Sequence, residues 1–437
     1  MQLVLGLIFL IAAFCSKADF SYAIVASKNT SKDKSWNEVI AILKNKYNGT
    51  VFIYTNSIDE IIKSLSQFRP THTAFVARPS EATRDYVIKV NQITRSLNDD
   101  PYGDTIWGIV TGYDAKNAKS IVSAKGPLII RRVAAGTSVP LEYFEEGVWY
   151  SEVKAGFGME KKQGETPREI STPIDTTRLL VDELNGVADM FVTSGHATER
   201  DWQIGYSYKN GSFRSEAGLL YGIDTTGRKF EIKSLHPRVY LPVGNCLMGH
   251  IDSSNAMALA WMKSAGVVQM LGYTVPTWFG YMGWGVLDYF AEQPGRFTFS
   301  EAFFANQQAL IWCLQNNPNS KGHLFDRDVV AFYGDPAYEA RLKPAPSGWD
   351  QNLVFSNDTY TLTIRLLKGE KSFSLLDPNG SQRGGRPIFQ FLPERLHKVQ
   401  LVESDGLNPV ITENFVLVPQ PSKPYREVYK VVFKKLK

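Results

Sequence analysis

From Tyr22 to about Val133, short β-type runs alternate with amphipathic helical stretches, and this alternation constrains the fold more than any other feature of the chain. Tyr22–Ala26, Val51–Tyr54, Thr73–Val76 and Ile106–Val110 read as strands. Between them, Ser35 opens a helix carrying Val39, Ile40, Ile42 and Leu43 at helical spacing. Ile58 to Leu65 reads as a second helix, and Ser80 as the cap of a third that runs to about Leu97. Strand–helix repetition of this kind predicts a mostly parallel sheet with helices on both faces. A helix near Ala115 to Val122 and a strand near Leu128 to Val133 continue it. The polar stretch Lys154 to Thr172, rich in Gly and Pro, reads as a long loop. Asp99 to Asp104 places three carboxylates in six residues; a metal loop is one reading, and Asp with Pro and Gly in a turn the simpler one.

Further along, Ser253/Ser254 is expected to cap a helix through Ala256 to Met262, ended by Gly266. Val267–Leu271 reads as a strand, and Tyr273 to Gly285 as a Gly/aromatic loop holding Trp278, Tyr281 and Trp284. Aromatics on a loop past a strand end suit a pocket wall or the edge of a core. Thr298 to Asn316 is a long helix, Phe325 to Phe332 a last strand, and Tyr333–Pro336 a sharp turn. Lys343 to Gly348 is a linker by composition. Beyond it the hydrophobic period switches to two. Short runs at Thr359–Leu366, Lys371–Leu376, Pro387–Phe391, His397–Val402, Phe415–Val418 and Glu427–Phe433 predict a small β-sandwich over about 351–437.

The chain has 437 residues, room for two or three domains. A net charge of +4 and the lack of a basic block argue against a nucleic-acid partner. Residues 2–15 form an apolar run before a small-x-small site at Ser16 and Ala18, which reads as a signal peptide over 1–18. A secreted, periplasmic or cell-surface protein is therefore expected. No later run is long enough to span a bilayer. Removing the signal takes Cys15 with it and leaves Cys246 and Cys313. Cys313 shares a helical stripe with Leu310 and Leu314 and reads as a buried thiol rather than half of a bridge.

Chemistry concentrates between Met190 and His250. Two apolar runs there each stop at a small residue and then present a reactive side chain, His196 after the first and Cys246 after the second, 50 positions on. A nucleophile and a base at the carboxyl ends of two strands make a site if those strands are neighbours in one sheet. A thiol attacks carbonyls only as thiolate, and a nearby imidazole both takes its proton and later protonates the leaving amine. Cys246 and His250, with His196, also form a possible zinc set, so a zinc hydrolase is the enzyme alternative. Asp224-Thr-Thr-Gly227 lacks a partner and reads as a turn; His236, next to Pro237, reads as structural.

Gly195-His196-Ala197-Thr198-Glu199-Arg200-Asp201-Trp202 resembles the Gly-His-Gly-Ser-Glu-x-x-Trp block of gingipains, cysteine peptidases of family C25. Asn245-Cys246-Leu247-Met248-Gly249 resembles that family's Ala-Cys-x-x-Gly block, and Ala331 to Pro336 its Phe-Gly-Asp-Pro. The resemblance spans about 22–437 and is most specific around His196 and Cys246. It implies a caspase-like α/β fold in two subdomains, 19–165 and 166–345, followed by an Ig-like β domain. It also implies a secreted endopeptidase in which Cys246 is the nucleophile and His196 the base and acid. The backbone N–H groups of Cys246 and Ala197 would form the oxyanion hole, and Glu152 would orient the histidine. Trp278 would stand beside the substrate pocket, with Glu199 and Asp201 as candidate carboxylates for a basic side chain. Ala197 stands where the family has Gly, which is accommodated only if φ there is negative. A non-catalytic gingipain-like binding protein is the alternative. The expected partner is a protein or peptide substrate. No cofactor is expected; a structural calcium would be compatible, but no cluster assigns one.

Overall fold

The computed structural model describes residues 20–436. The signal-peptide reading over 1–18 lies outside the described residues. A twelve-stranded sheet forms the centre. Its order is Thr50–Tyr54, Tyr22–Ser27, His72–Val76, Ile106–Val110, Val330–Gly334, Val267–Tyr273, Arg238–Pro242, Met190–Thr193, Arg132–Ala135, Glu146–Tyr150, Phe157–Lys161 and Arg168–Ser171. The first four strands are mutually parallel, and Val330–Gly334 runs with them. Val267–Tyr273 pairs antiparallel to Val330–Gly334, so the next strands, through Glu146–Tyr150, point the other way. The carboxyl ends of the two halves therefore open at opposite edges.

The α/β class is as expected, but the chain divides between the halves differently from 19–165 and 166–345. Arg132–Ala135 and Glu146–Tyr150 join the strand before His196, while Val330–Gly334 returns to Ile106–Val110. The long loop expected at 154–172 is a hairpin at the end of the sheet, paired from Phe157–Ser171 to Glu160–Arg168, with Arg168–Ser171 as the edge strand. Its charged and polar outward positions hide its β character from a hydrophobic-period reading. The insertion 201–232 forms a separate four-stranded antiparallel sheet, and Asp224 makes the turn between its last two strands by accepting from the Thr226 and Arg228 N–H groups.

Local capping explains several helix boundaries. Asp33, not Ser35, caps the helix Lys34–Tyr47, which buries Trp36, Val39, Ile40 and Leu43. The helix expected from Ser80 is Arg84–Ile93, capped by Thr83. Glu81 before it is occupied with the hydroxyls of Ser27 and Thr30. The helix after Cys246 is Met257–Ser264 and has Ala256, not a serine, at its cap position. Part of the expected aromatic loop is a buried helix, Tyr281–Phe290. The last strand begins at Val330, after a short helix Lys321–Asp326. Thr298 and Glu301 form a capping box at the start of Phe299–Asn316.

In the Gly334-Asp335-Pro336 segment, Asp335 accepts from Tyr22 (2.8 Å), Tyr47 (2.7 Å) and Lys46 (3.2 Å), which fixes the strand end against the first strand and its helix. Asp99 to Asp104 is a turn in which Asp100 receives the Tyr102 N–H.

The C-terminal region is a two-sheet β-sandwich. Trp349–Ser356, Thr359–Leu366, Val428–Lys435 and Val399–Glu403 form one sheet; Ile388–Phe391, Phe415–Val418 and Val410–Ile411 form the other. Side-chain alternation puts Ile388, Val416 and Val418 into the sandwich core. Phe389, Phe415 and Leu417, on the opposite face, enter the core of the α/β domain. Phe415 packs edge-on to Phe304 and Tyr102. The β domain is thus fused to the α/β domain through an aromatic seam. The strand expected at Lys371–Leu376 is absent; that segment is a 3₁₀ turn and an extended arm.

Candidate active site

Met190–Thr193 and Arg238–Pro242 are adjacent parallel strands in which Thr193 lies opposite Pro242. His196 and Cys246 follow these strands by three and four residues, so both leave the sheet at one level and on one edge. They line a single cleft of about 410 Å³ together with Glu152, Trp278, Trp284 and residues from two further loops, Tyr206 and 379–381. Gly195 makes the turn into His196 at φ +88°, a conformation costly for any residue with a Cβ. Trp202 is fully buried and donates from Nε1 to the Ser194 carbonyl at 2.7 Å, so the tryptophan of that block braces the turn. Gly249 has a packing reason: a Cβ there would sit 2.2 Å from the Gly272 carbonyl oxygen.

Asn245 locks the two strand ends together. It is fully buried, donates to the Gly195 carbonyl at 3.0 Å and accepts from the Thr193 hydroxyl at 2.6 Å. The loop carrying Cys246 is thereby tied to the loop carrying His196. Leu247, next to the thiol, sits at φ +57°, a left-handed conformation that costs a non-glycine residue roughly 1–2 kcal/mol. Its N–H bonds Val275 O, and its carbonyl accepts from the His250 N–H, which holds the bend. The Cys246 thiol contacts Thr277 on both sides: it donates to the Thr277 carbonyl at 3.5 Å and receives the Thr277 N–H at 3.3 Å. The second contact is a donor suited to a sulfur carrying negative charge.

The His196 ring stacks on Tyr206 at 5.0 Å between centroids. The Tyr206 N–H in turn bonds the Glu152 carbonyl at 2.7 Å. Glu152 therefore reaches His196 through its backbone and Tyr206. Its carboxylate, on a residue 7% exposed, instead accepts from Thr137 (2.7 Å), Ser194 (3.3 Å) and Asn379 (3.5 Å). Ala197 is buried and its φ is not positive, so its methyl is accommodated without strain. The bridge it forms with Trp202 is flanked by bonds from Gln203 N to His196 O and from Thr198 N to Asp201 O. That pattern leaves the Ala197 N–H out of the ladder.

Glu199 and Asp201 are not among the residues lining the cleft. The turn that brings His196 inward carries them away, and Arg200 between them pairs with Asp252 at 2.6 Å. A pocket carboxylate at these positions is therefore a correction to the sequence reading. The zinc set also disperses, because His250 lines a separate cavity. Among the described residues no group of three His, Cys, Asp or Glu side chains is placed to hold a metal ion. Cys246 and Cys313 are both free thiols; Cys313 lies 3.4 Å from the Tyr281 hydroxyl. His236 bonds Asp189 at 2.9 Å in a structural pair.

Sequence reasoning missed Asn245, Tyr206 and Asn379. Asn245 was visible as the polar residue ending an apolar run; the other two come from segments whose folding onto the cleft no local pattern announces. No family model matches the sequence, and no curated protein matches it. A solved structure titled as that of the Arg-specific cysteine proteinase gingipain R is similar over 92% of this chain and 92% of that chain, at 11% identity and a TM-score of 0.46. A likeness of that size carries no argument about the reaction, and the function is argued from the cleft.

Proposed function

We propose that the protein is a cysteine peptidase, exported as its N-terminal sequence suggests, that cleaves peptide bonds through an acyl-enzyme formed on Cys246. The observation that carries this reading is the meeting of Cys246 and His196 in one cleft, on neighbouring strand ends tied together by Asn245. His196 takes the thiol proton, and the thiolate adds to the scissile carbonyl. The resulting oxyanion is assigned to the backbone N–H groups of Cys246 and Ala197. Collapse of that intermediate breaks the C–N bond as His196 returns the proton to the amine. Water, activated by the same imidazole, then releases the acid and the free thiol. Glu152 is assigned a positioning role, fixing the loop that supports Tyr206 and through it the histidine ring.

Turnover of a fluorogenic peptide library by the full chain tests the reading. Hydrolysis that is lost in Cys246→Ala and blocked by thiol alkylation supports it. A wild-type protein that binds peptides without cleaving any, or hydrolysis undiminished in Cys246→Ala, would contradict it.

A further inference from the structure

The α/β domain does not build the cleft alone. Asn379, Gly380 and Ser381, which line it, belong to the arm that the β domain extends before its strand Ile388–Phe391. Asp377 accepts from the Ser138 hydroxyl at 3.0 Å. Asn379 donates to the Thr137 hydroxyl at 3.0 Å, and Ser381 to the Phe279 carbonyl at 3.0 Å. The Gly380 backbone lies so close to Trp284 that a Cβ there would be 2.4 Å from the indole. Behind these contacts the Arg383 side chain, 2% exposed, reaches Asp288 at 2.6 Å and Glu292 at 3.3 Å. Arg386 covers the Tyr281 ring at 3.6 Å and donates to Asn306 at 2.9 Å. Removing one partner from such buried charge pairs is strongly destabilising, so the arm is a fixed wall of the cleft.

The charge of that cleft selects a ligand. Among the described residues no Asp, Lys or Arg lines it, and the one carboxylate that does, Glu152, is already bonded to Thr137, Ser194 and Asn379. Trp278 is 65% exposed and offers an indole to the opening, with Phe279 and Val153 alongside. A cation over such an exposed ring gains little and gives up part of its hydration without a free carboxylate in return. An aromatic or large aliphatic side chain gains more, because its whole apolar area leaves water when it is buried. The apolar side chain wins that comparison.

We infer that the cleft takes an uncharged aromatic or large aliphatic side chain beside the scissile bond, against Trp278, and that the arm 377–381 of the β domain forms the facing wall. This rests on the peptidase reading above. The test uses the full chain and two acyloxymethyl ketone probes that differ only in bearing a phenylalanyl or an arginyl residue. In each, the Cys246 thiolate forms a C–S bond as the acyloxy C–O bond breaks and the carboxylate leaves with the electron pair. Adduct mass against time gives the two rates. The phenylalanyl probe is expected to react at least about tenfold faster. Ser381→Asp, compared with Ser381→Ala as the control for the lost hydrogen bond, is expected to shift the ratio toward the arginyl probe by about tenfold. An arginyl probe as fast or faster on the wild type overturns the side-chain class. A ratio equal in Ser381→Asp and Ser381→Ala overturns the facing wall. Failure of both probes to mark Cys246 overturns the peptidase reading itself, and this inference with it.

Discussion

The two halves of the central sheet are built alike but use their polar groups differently. In the half containing Tyr22–Ser27 to Ile106–Val110, polar side chains at strand ends face inward and are consumed by structure. Glu81 holds Ser27 and Thr30, and Asp335 gathers Tyr22, Tyr47 and Lys46. The cavity beside its strand ends is the larger of the two, about 530 Å³, and is charged, with Arg84, Asp85, His250 and Asp252 on its walls, yet among the described residues no cysteine lines it. In the half containing Met190–Thr193 and Arg238–Pro242, the strand ends leave Cys246 and His196 on the wall of a smaller cleft. Both cavities lie past the carboxyl ends of parallel strands, where open α/β sheets form their crevices. Chemistry depends on whether the residues just past those ends are spent on the fold or left free, and not on cavity size.

The largest effect expected from breaking this contrast is at the thiol. Cys246→Ser should lower peptide turnover by at least about 10⁴-fold, as removal of a nucleophile from a catalytic unit does. Asp85→Ala, an exposed change on the charged cavity, should leave turnover within about twofold. His196→Ala should cost about 10²–10⁴-fold through loss of general acid–base catalysis; a loss below threefold in steady-state kinetics would remove the imidazole from the mechanism. Asn245→Ala leaves the Thr193 hydroxyl and the Gly195 carbonyl without their partner. We expect a loss of roughly 2–3 kcal/mol in urea unfolding, with turnover falling more than the small stability change at assay temperature explains.

The structural half answers to pH instead. Burial, with Asp100 and Glu413 nearby, pushes the Asp104 carboxyl up to about 7. A raised folded-state value means that the folded chain keeps a proton the unfolded chain has released. The contribution is full below about pH 4 and lost as pH rises through about 7, by at most about 4 kcal/mol. Asp104→Asn should therefore flatten the decline of the thermal midpoint between pH 5 and pH 8. An equally steep decline in the variant would assign it to another group.

The alternation of strands and helices was legible because the central strands are buried on both faces and read as continuous apolar runs, as in Val267–Tyr273 and Met190–Thr193. The sandwich was legible from its period of two. The last two strands of the sheet, Phe157–Lys161 and the edge strand Arg168–Ser171, were not, because their exposed and half-exposed positions remove the signal. Helix starts shifted where two polar residues competed for one cap, as at Asp33 and Ser35. At the site, Cys246, His196 and Trp278 stood out by type and position. The carboxylates Glu199 and Asp201 misled because nearness in sequence to His196 gives no direction, and the turn that points the imidazole inward points them away. The arm 377–386 was illegible as a cleft wall because its partners, Ser138, Thr137, Asp288 and Asn306, lie 80 or more positions away.

Cleavage by the proposed dyad requires that His196 activate Cys246. The direct measurement is the rate of Cys246 alkylation by iodoacetamide from pH 5 to 9, followed by intact mass and peptide mapping, in the wild type and in His196→Ala. Rapid, selective modification of Cys246 near neutral pH is expected in the wild type, with Cys313 lagging because burial raises its thiol. In His196→Ala the rate at neutral pH should fall by at least about tenfold. Identical profiles with and without His196 would contradict that activation.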